Sequence, residues 1–154
     1  MSVIPSGISI QEIYRRYREN QIIVNRKYQR KLVWAESEKE NLIDSILKGY
    51  PIPLILFAEF ADDTGKVYYE ILDGLQRLNA IISFIENDFS WKQQYFDINQ
   101  LARATQAEKE GLFCGYHGEN LLESKKCANF LDYQLAVTSF KAENEKQTFE
   151  IFGR

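Results

Sequence analysis

Apolar residues recur every three or four positions in three stretches of the chain, and that spacing predicts three helices. In the first, Ile10, Ile13, Tyr14 and Tyr17 share one face of a helix over residues 9–19, with Ser9 placed to cap it. In the second, Leu42, Ile43, Ile46 and Leu47 form the stripe. Ser37-x-x-Glu40 reads as its capping box and Gly49 as its stop. In the third, Leu75, Leu78, Ile81, Ile82 and Ile85 follow an Asp73-Gly74 corner and carry the helix to about Asn87. Between these lie β-type runs over 21–24, 54–60 and 66–72, the last two joined as a hairpin by the turn residues of 61–65. Pro51-Ile52-Pro53 forces an extended approach to the first strand of that hairpin. Past residue 96 the pattern predicts a helix from about Thr105, a strand over 133–140 and a last helix over 143–152. The expected fold class is α+β: a small mixed sheet with helices packed on it.

Composition narrows the picture without deciding it. The 154 residues are 45% apolar and 27% charged, the balance of an ordinary globular domain. The formal net charge of −3 lacks the overall basic footprint of a dedicated nucleic-acid binder. Locally, however, Arg15, Arg16, Arg18, Arg26, Lys27, Arg30 and Lys31 crowd together with only Glu19 among them. That run is either a solvated helix face with its following turn or a phosphate-facing patch. Cys114 and Cys127 match no metal or redox spacing and are expected as reduced thiols. The longest apolar run, Ile52 to Ala58, is too short to span a bilayer and is broken by Pro53. With no signal-peptide pattern at the start, the expectation is a cytoplasmic chain with no membrane partner. The single histidine, His117, lies in a Gly-rich loop and is expected in a surface or structural role.

Chemistry is most plausible at the corner, residues 73–77. Asp73 as N-cap and Gln76 three residues on make an acidic version of the capping box, and Gly74 eases the tight transition. Those three residues then need no function. Arg77 is different, because a cation in the first helical turn opposes the positive end of the helix dipole. An anion expected at that place resolves the conflict: free N–H groups and an Arg fork together cradle a phosphate. A second candidate cluster, residues 24–34, places Tyr28, Gln29 and Arg30 ahead of Trp34. Its aromatic residues serve either as core anchors or as a base-facing surface beside a second phosphate clamp.

The order "YQRKLVW", "LIDSILKGYPIPLI", a hairpin, "ILDGLQRLNAI" and a terminal "FEIFGR" resembles the N-terminal domain of the GmrSD-type, modification-dependent restriction endonucleases. That family belongs to the ParB/sulfiredoxin-like superfamily. The resemblance is strongest from Tyr28 to Phe89 and weak between about Phe96 and Asp132. It implies a nucleotide-binding, NTP-hydrolysing regulatory domain of a phage-defence system, with phosphates at residues 73–77. The family motif is usually Asp-Gly-Gln-Gln-Arg, so Asp73, Gly74, Gln76 and Arg77 match while Leu75 replaces the first glutamine. On that reading Asp73 holds Mg²⁺ or orients water, and Gln76 is an orienting hydrogen-bonder. Arg77 and Arg30 hold phosphate oxygens, and Gly74, Tyr28 and Gln29 complete the nucleotide site.

Implied partners are a nucleoside triphosphate and a His-Asn-His nuclease domain or subunit. With one histidine and no such motif, that nuclease is not expected within these residues. The chain is therefore expected to be a single domain, shortened at its C-terminal end. The rival class is a non-enzymatic DNA-binding or adaptor module of the ParB-like type, motivated by the basic stretch from Arg15 to Lys31. A sulfiredoxin-like redox role needs a nucleophilic cysteine at the corner, and residues 73–77 contain none.

Overall fold

The computed structural model describes residues 3–24 and 34–142. Its five strands are β1 (Val3–Ser9), β2 (Ile22–Val24), β3 (Ile55–Ala61), β4 (Val67–Asp73) and β5 (Gln134–Lys141). Its helices are α1 (Ile10–Arg18), α2 (Glu36–Leu47), α3 (Leu75–Ile85), α4 (Ala102–Lys109) and α5 (Ser124–Asp132), with a 3-10 turn at Ile98–Gln100. The strands form one mixed sheet in the order β1-β5-β3-β4-β2. β1 pairs antiparallel with β5, and β3 antiparallel with β4, while β5–β3 and β4–β2 are parallel. This is the α+β architecture that the sequence pattern predicts.

The predicted helical faces are the ones buried. Ile10, Ile13 and Tyr14 of α1, Leu42, Ile43 and Ile46 of α2, and Leu78, Ile81, Ile82 and Ile85 of α3 join one core with Ile55, Phe57, Ile71, Leu135 and Val137 of the sheet. Phe84, Phe96 and Phe130 meet edge-on or tilted within it, with ring centroids 5.3–6.1 Å apart. α3 is buried on more than one side, since Ala80, Ser83 and Phe84 are enclosed with its stripe.

Several boundaries differ from the sequence expectation. α2 starts at Glu36, so Ser37 lies inside the helix and caps nothing. Half of the expected box survives two residues earlier: the Ala35 N–H donates to Glu38 Oε1 at 3.1 Å. α4 begins three residues before Thr105. The helix predicted over 143–152 lies outside the described residues. Strand β1 and helix α5 were not predicted. β1 holds Pro5, opposite Thr138, on the edge of the sheet, where a missing N–H is tolerated.

The arginines of α1 do not form a phosphate patch. Arg15 grips both carboxylate oxygens of Glu12, at 2.7 and 2.6 Å, and also pairs with Glu19. Arg16 reaches Glu12 at 2.8 Å and lies 4.3 Å from the Tyr69 ring centre; Arg18 bonds Glu86 at 2.7 Å. Hydrogen bonding from Arg15, with help from Arg16, holds the Glu12 carboxyl at about 2 against the opposing effect of its partial burial. The unfolded chain, with Glu12 near 4.5, therefore takes up that proton first as pH falls. Stability from this cluster is complete above pH 4.5 and is lost towards pH 2. Wild type is expected to lose stability across that window more steeply than Glu12→Gln, as read from urea midpoints at each pH.

Candidate functional site: the strand-to-helix corner

The corner begins with an irregularity in the hairpin. Phe57 faces Ile71 but Leu56 faces Asp73, so Leu72 has no opposite residue. This β-bulge changes the side on which the next residue emerges. Without it, alternation would send Asp73 to the buried side of Ile71. With it, Asp73 stands at the mouth of the corner with 71% of its side chain exposed.

Asp73 is not the helix cap. It is the last residue of β4, and the N-cap is Gly74, in the left-handed region at φ 100° and ψ 15°. Gly74 is needed on two counts. A side-chain residue is strained at that φ, and an added Cβ would come within 2.6 Å of Ile55 Cδ1. Among the described residues no side chain caps α3, so the N–H groups of its first turn have no side-chain acceptor there. Gln76 is accordingly not half of a capping box. Its side-chain oxygen instead faces the Trp34 N–H at 3.5 Å. Leu75, the position that departs from the Gln of the motif, is half-buried against the core and acts as a packing residue.

Arg77 lies back along the corner rather than out into solvent. Its Nη2 donates to the Leu54 carbonyl at 2.7 Å and stands 3.8 Å from Asp73 Oδ2. Its Nε is buried with no hydrogen-bond partner among the described residues. The side chain is only 16% exposed, so the guanidinium is held in one place by the backbone at the start of β3. Leu54 follows directly on Pro51-Ile52-Pro53, which sets the direction of its carbonyl. Sequence reasoning missed this anchor because a backbone carbonyl leaves no mark on residue type.

Together these parts supply free helix N–H groups, a fixed guanidinium and an exposed carboxylate within one turn of chain. Tyr28, Gln29 and Arg30 lie outside the described residues. The two described residues nearest to that segment sit close to the corner. Val24 pairs with Ile71 on β4, and the Trp34 N–H faces Gln76. Among the described residues no group of three or more His, Cys, Asp or Glu side chains could hold a metal ion. Mg²⁺ does not need one, since it binds through one or two carboxylates with substrate phosphates and water. Asp73, exposed and free of capping duty, fits that demand.

The remaining candidates fall to structural roles. His117 Nε2 meets Glu108 Oε2 at 2.6 Å on the surface. Cys114 and Cys127 are both free thiols, the first exposed and the second buried. No helix among the described residues is long and apolar enough to cross a membrane.

The family model described as "GmrSD restriction endonuclease, N-terminal domain" covers residues 10–154. No curated protein and no solved structure matches the chain.

Proposed function

Because this chain belongs to the N-terminal domain family of GmrSD restriction endonucleases, we propose that it is the nucleotide-binding, NTP-hydrolysing domain of a modification-dependent restriction system. The observation that carries this reading is the corner itself. Among the described residues no side chain caps the start of α3, and beside it an arginine is held at 2.7 Å by a backbone carbonyl.

Anions are favoured at that end of a helix, and an arginine already held in position loses little freedom on meeting one. The γ-phosphate is placed against the N–H groups of Leu75 and Gln76, with Arg77 bridging its oxygens. The buried Nε of Arg77 gains on that account a charged acceptor nearby. Arg30 serves as the second clamp, with Tyr28 and Gln29 beside it. Gln76, whose amide is already turned towards Trp34, orients the attacking water or the phosphate. Asp73 would hold Mg²⁺, which would supply charge neutralisation for phosphoryl transfer. The helix is capped by Gly74, so Asp73 is free for this task. The domain then acts on a His-Asn-His nuclease domain or subunit, coupling nucleotide state to cutting.

The test is phosphate release by the purified chain with each of the four NTPs and Mg²⁺. Asp73→Asn keeps the shape of the corner and removes the charge, and is expected to lower turnover by about 10²-fold or more. Wild-type turnover in Asp73→Asn would remove Asp73 from the chemistry. Of the basic stretch that motivates the DNA-binding rival, Arg15, Arg16 and Arg18 are paired with carboxylates, and Arg26, Lys27, Arg30 and Lys31 lie outside the described residues.

A further inference from the structure

Arg77 is held by a carbonyl, and that carbonyl belongs to a short segment outside every helix and strand. Residues 50–54, Tyr50-Pro51-Ile52-Pro53-Leu54, form a strap from the end of α2 to the start of β3. The Tyr50 N–H donates to the Ser45 carbonyl at 2.9 Å, which ties the strap to the last turn of α2. The Tyr133 hydroxyl donates to the Tyr50 carbonyl at 2.6 Å. Ile52, half-buried, packs against the core. At the other end the Leu54 carbonyl accepts from Arg77 Nη2 at 2.7 Å.

Between these anchors the chain is stiff. Pro51 and Pro53 fix their own φ and confine Tyr50 and Ile52 to extended backbone. A proline-rich segment of this kind behaves as a semi-rigid spacer. Placement of Tyr50 is therefore passed along to Leu54, where a flexible loop would absorb it.

Tyr133 is built to be the fixed end. It lies between α5 and β5, and its ring is half-buried against the core. Its carbonyl accepts the Ile10 N–H at 3.1 Å where α1 begins, and its own N–H donates to the Phe130 carbonyl at 3.2 Å. Burial raises the pKa of its hydroxyl, and hydrogen bonding from the Ile52 backbone works against that rise. The hydroxyl can thus give its proton to one strap residue and accept from another. A phenylalanine in its place keeps the ring and loses both bonds.

We propose that Tyr133 is a positioning residue for Arg77, acting through the strap of residues 50–54. For nucleotide binding this rests on the corner being the phosphate site; for the placement of the guanidinium it rests on the hydrogen bonds alone. An arginine loses less freedom on meeting a phosphate when its fork is already fixed. The Leu54 carbonyl can fix that fork only if the carbonyl itself stays in place. Tyr133 supplies that constraint from the opposite end of the strap.

The experiment reads Arg77 directly. Its Nε is buried, so the proton there exchanges with water only when the guanidinium leaves its seat. Exchange is followed by heteronuclear NMR on the full chain, with Arg77→Lys identifying the resonance. Tyr133→Phe is expected to speed exchange about fivefold or more. Tyr14→Phe is the control, since it removes a hydroxyl bond to Glu86 at the far end of α3. It is expected to leave the Arg77 rate unchanged, whereas a general loss of stability would move both. Affinity for the NTP that raises the melting temperature most is expected to fall about threefold to tenfold in Tyr133→Phe and to hold in Tyr14→Phe. Should Tyr133→Phe fail to fold, Pro51→Ala/Pro53→Ala loosens the strap with the hydroxyl intact and is expected to give the same faster exchange.

Unchanged Arg77 exchange in Tyr133→Phe would overturn the proposal, as would equal acceleration in Tyr14→Phe. Faster exchange with wild-type nucleotide affinity would overturn it too, because the seat of Arg77 would then not matter to the ligand. A wild-type chain that binds no nucleotide would remove the phosphate reading, while the exchange rates still decide whether Tyr133 places Arg77.

Discussion

Gly74→Ala is expected to destabilise the domain by about 2–5 kcal/mol, read as a drop in the urea midpoint. Two causes add. A non-glycine residue in the left-handed region costs about 1–2 kcal/mol, and over-packing a closed site costs about 1–3 kcal/mol more. The closed site is explicit: the new Cβ would lie 2.6 Å from Ile55 Cδ1 and 3.4 Å from Ile55 Cα. Ile55 is fully buried in the core, so its side chain has no free space to swing into. The same Cβ would lie 3.3 Å from Arg77 Nη2, so the change also disturbs the proposed phosphate ligand. Gly49→Ala separates the two causes. Gly49 has φ of 74° but no atom within 4 Å of an added Cβ, and should lose the backbone term alone. Equal losses at the two glycines would mean that the corner is looser than its contacts imply.

Glu86→Leu is the second large effect, a loss of about 3 kcal/mol. Glu86 Oε2 accepts from the Tyr14 hydroxyl at 2.8 Å and from Arg18 at 2.7 Å, at the far end of α3 from the corner. Tyr14 is fully buried, and the Arg18 and Glu86 side chains are mostly so. Removing the carboxylate leaves a buried hydroxyl and a cation without their acceptor. Yet burial raises the Glu86 pKa despite both donors, which means that the attraction does not offset desolvation of the charge. Since the folded pKa is the higher one, the favourable contribution of Glu86 is complete below pH 4.5 and is lost as pH rises through that pKa. This is opposite in sign to Glu12. Tyr14→Phe and Arg18→Met added to Glu86→Leu should therefore recover most of the lost stability. A triple variant no more stable than the single one would show that the triad is worth more than its burial costs.

The helical stripes, the hairpin and the last strand were legible because each follows a strict period. Ile10, Leu42 and Leu78 with their partners show this directly. β1 was hidden because Pro5 and Gly7 interrupt its pattern, and an edge strand tolerates both. α5 was hidden because Cys127, Phe130 and Leu131 are too few, among polar residues, to mark a helical face. At the corner, residue types gave Asp73 the capping role that the structure gives to Gly74. Asp before a helix reads as a cap by composition, but the bulge at Leu72 turns it outwards and passes the cap to Gly74. The anchor of Arg77 on the Leu54 carbonyl could not be read at all, since backbone partners are set by tertiary approach. The α1 arginines could be read as a solvated face or a patch, because sequence proximity does not show that Glu12 lies between two of them.

On the proposed reading the corner binds nucleotide phosphate through Arg77. The most direct test is the melting temperature of the chain and of Arg77→Ala, with and without each of the four NTPs plus Mg²⁺. A ligand at about 100 times its dissociation constant adds roughly 2.7 kcal/mol, which for a domain of this size is a rise of roughly 5–10 °C. The account predicts that rise for at least one nucleotide in wild type and its loss in Arg77→Ala. No rise with any nucleotide, or the same rise in Arg77→Ala, would contradict it.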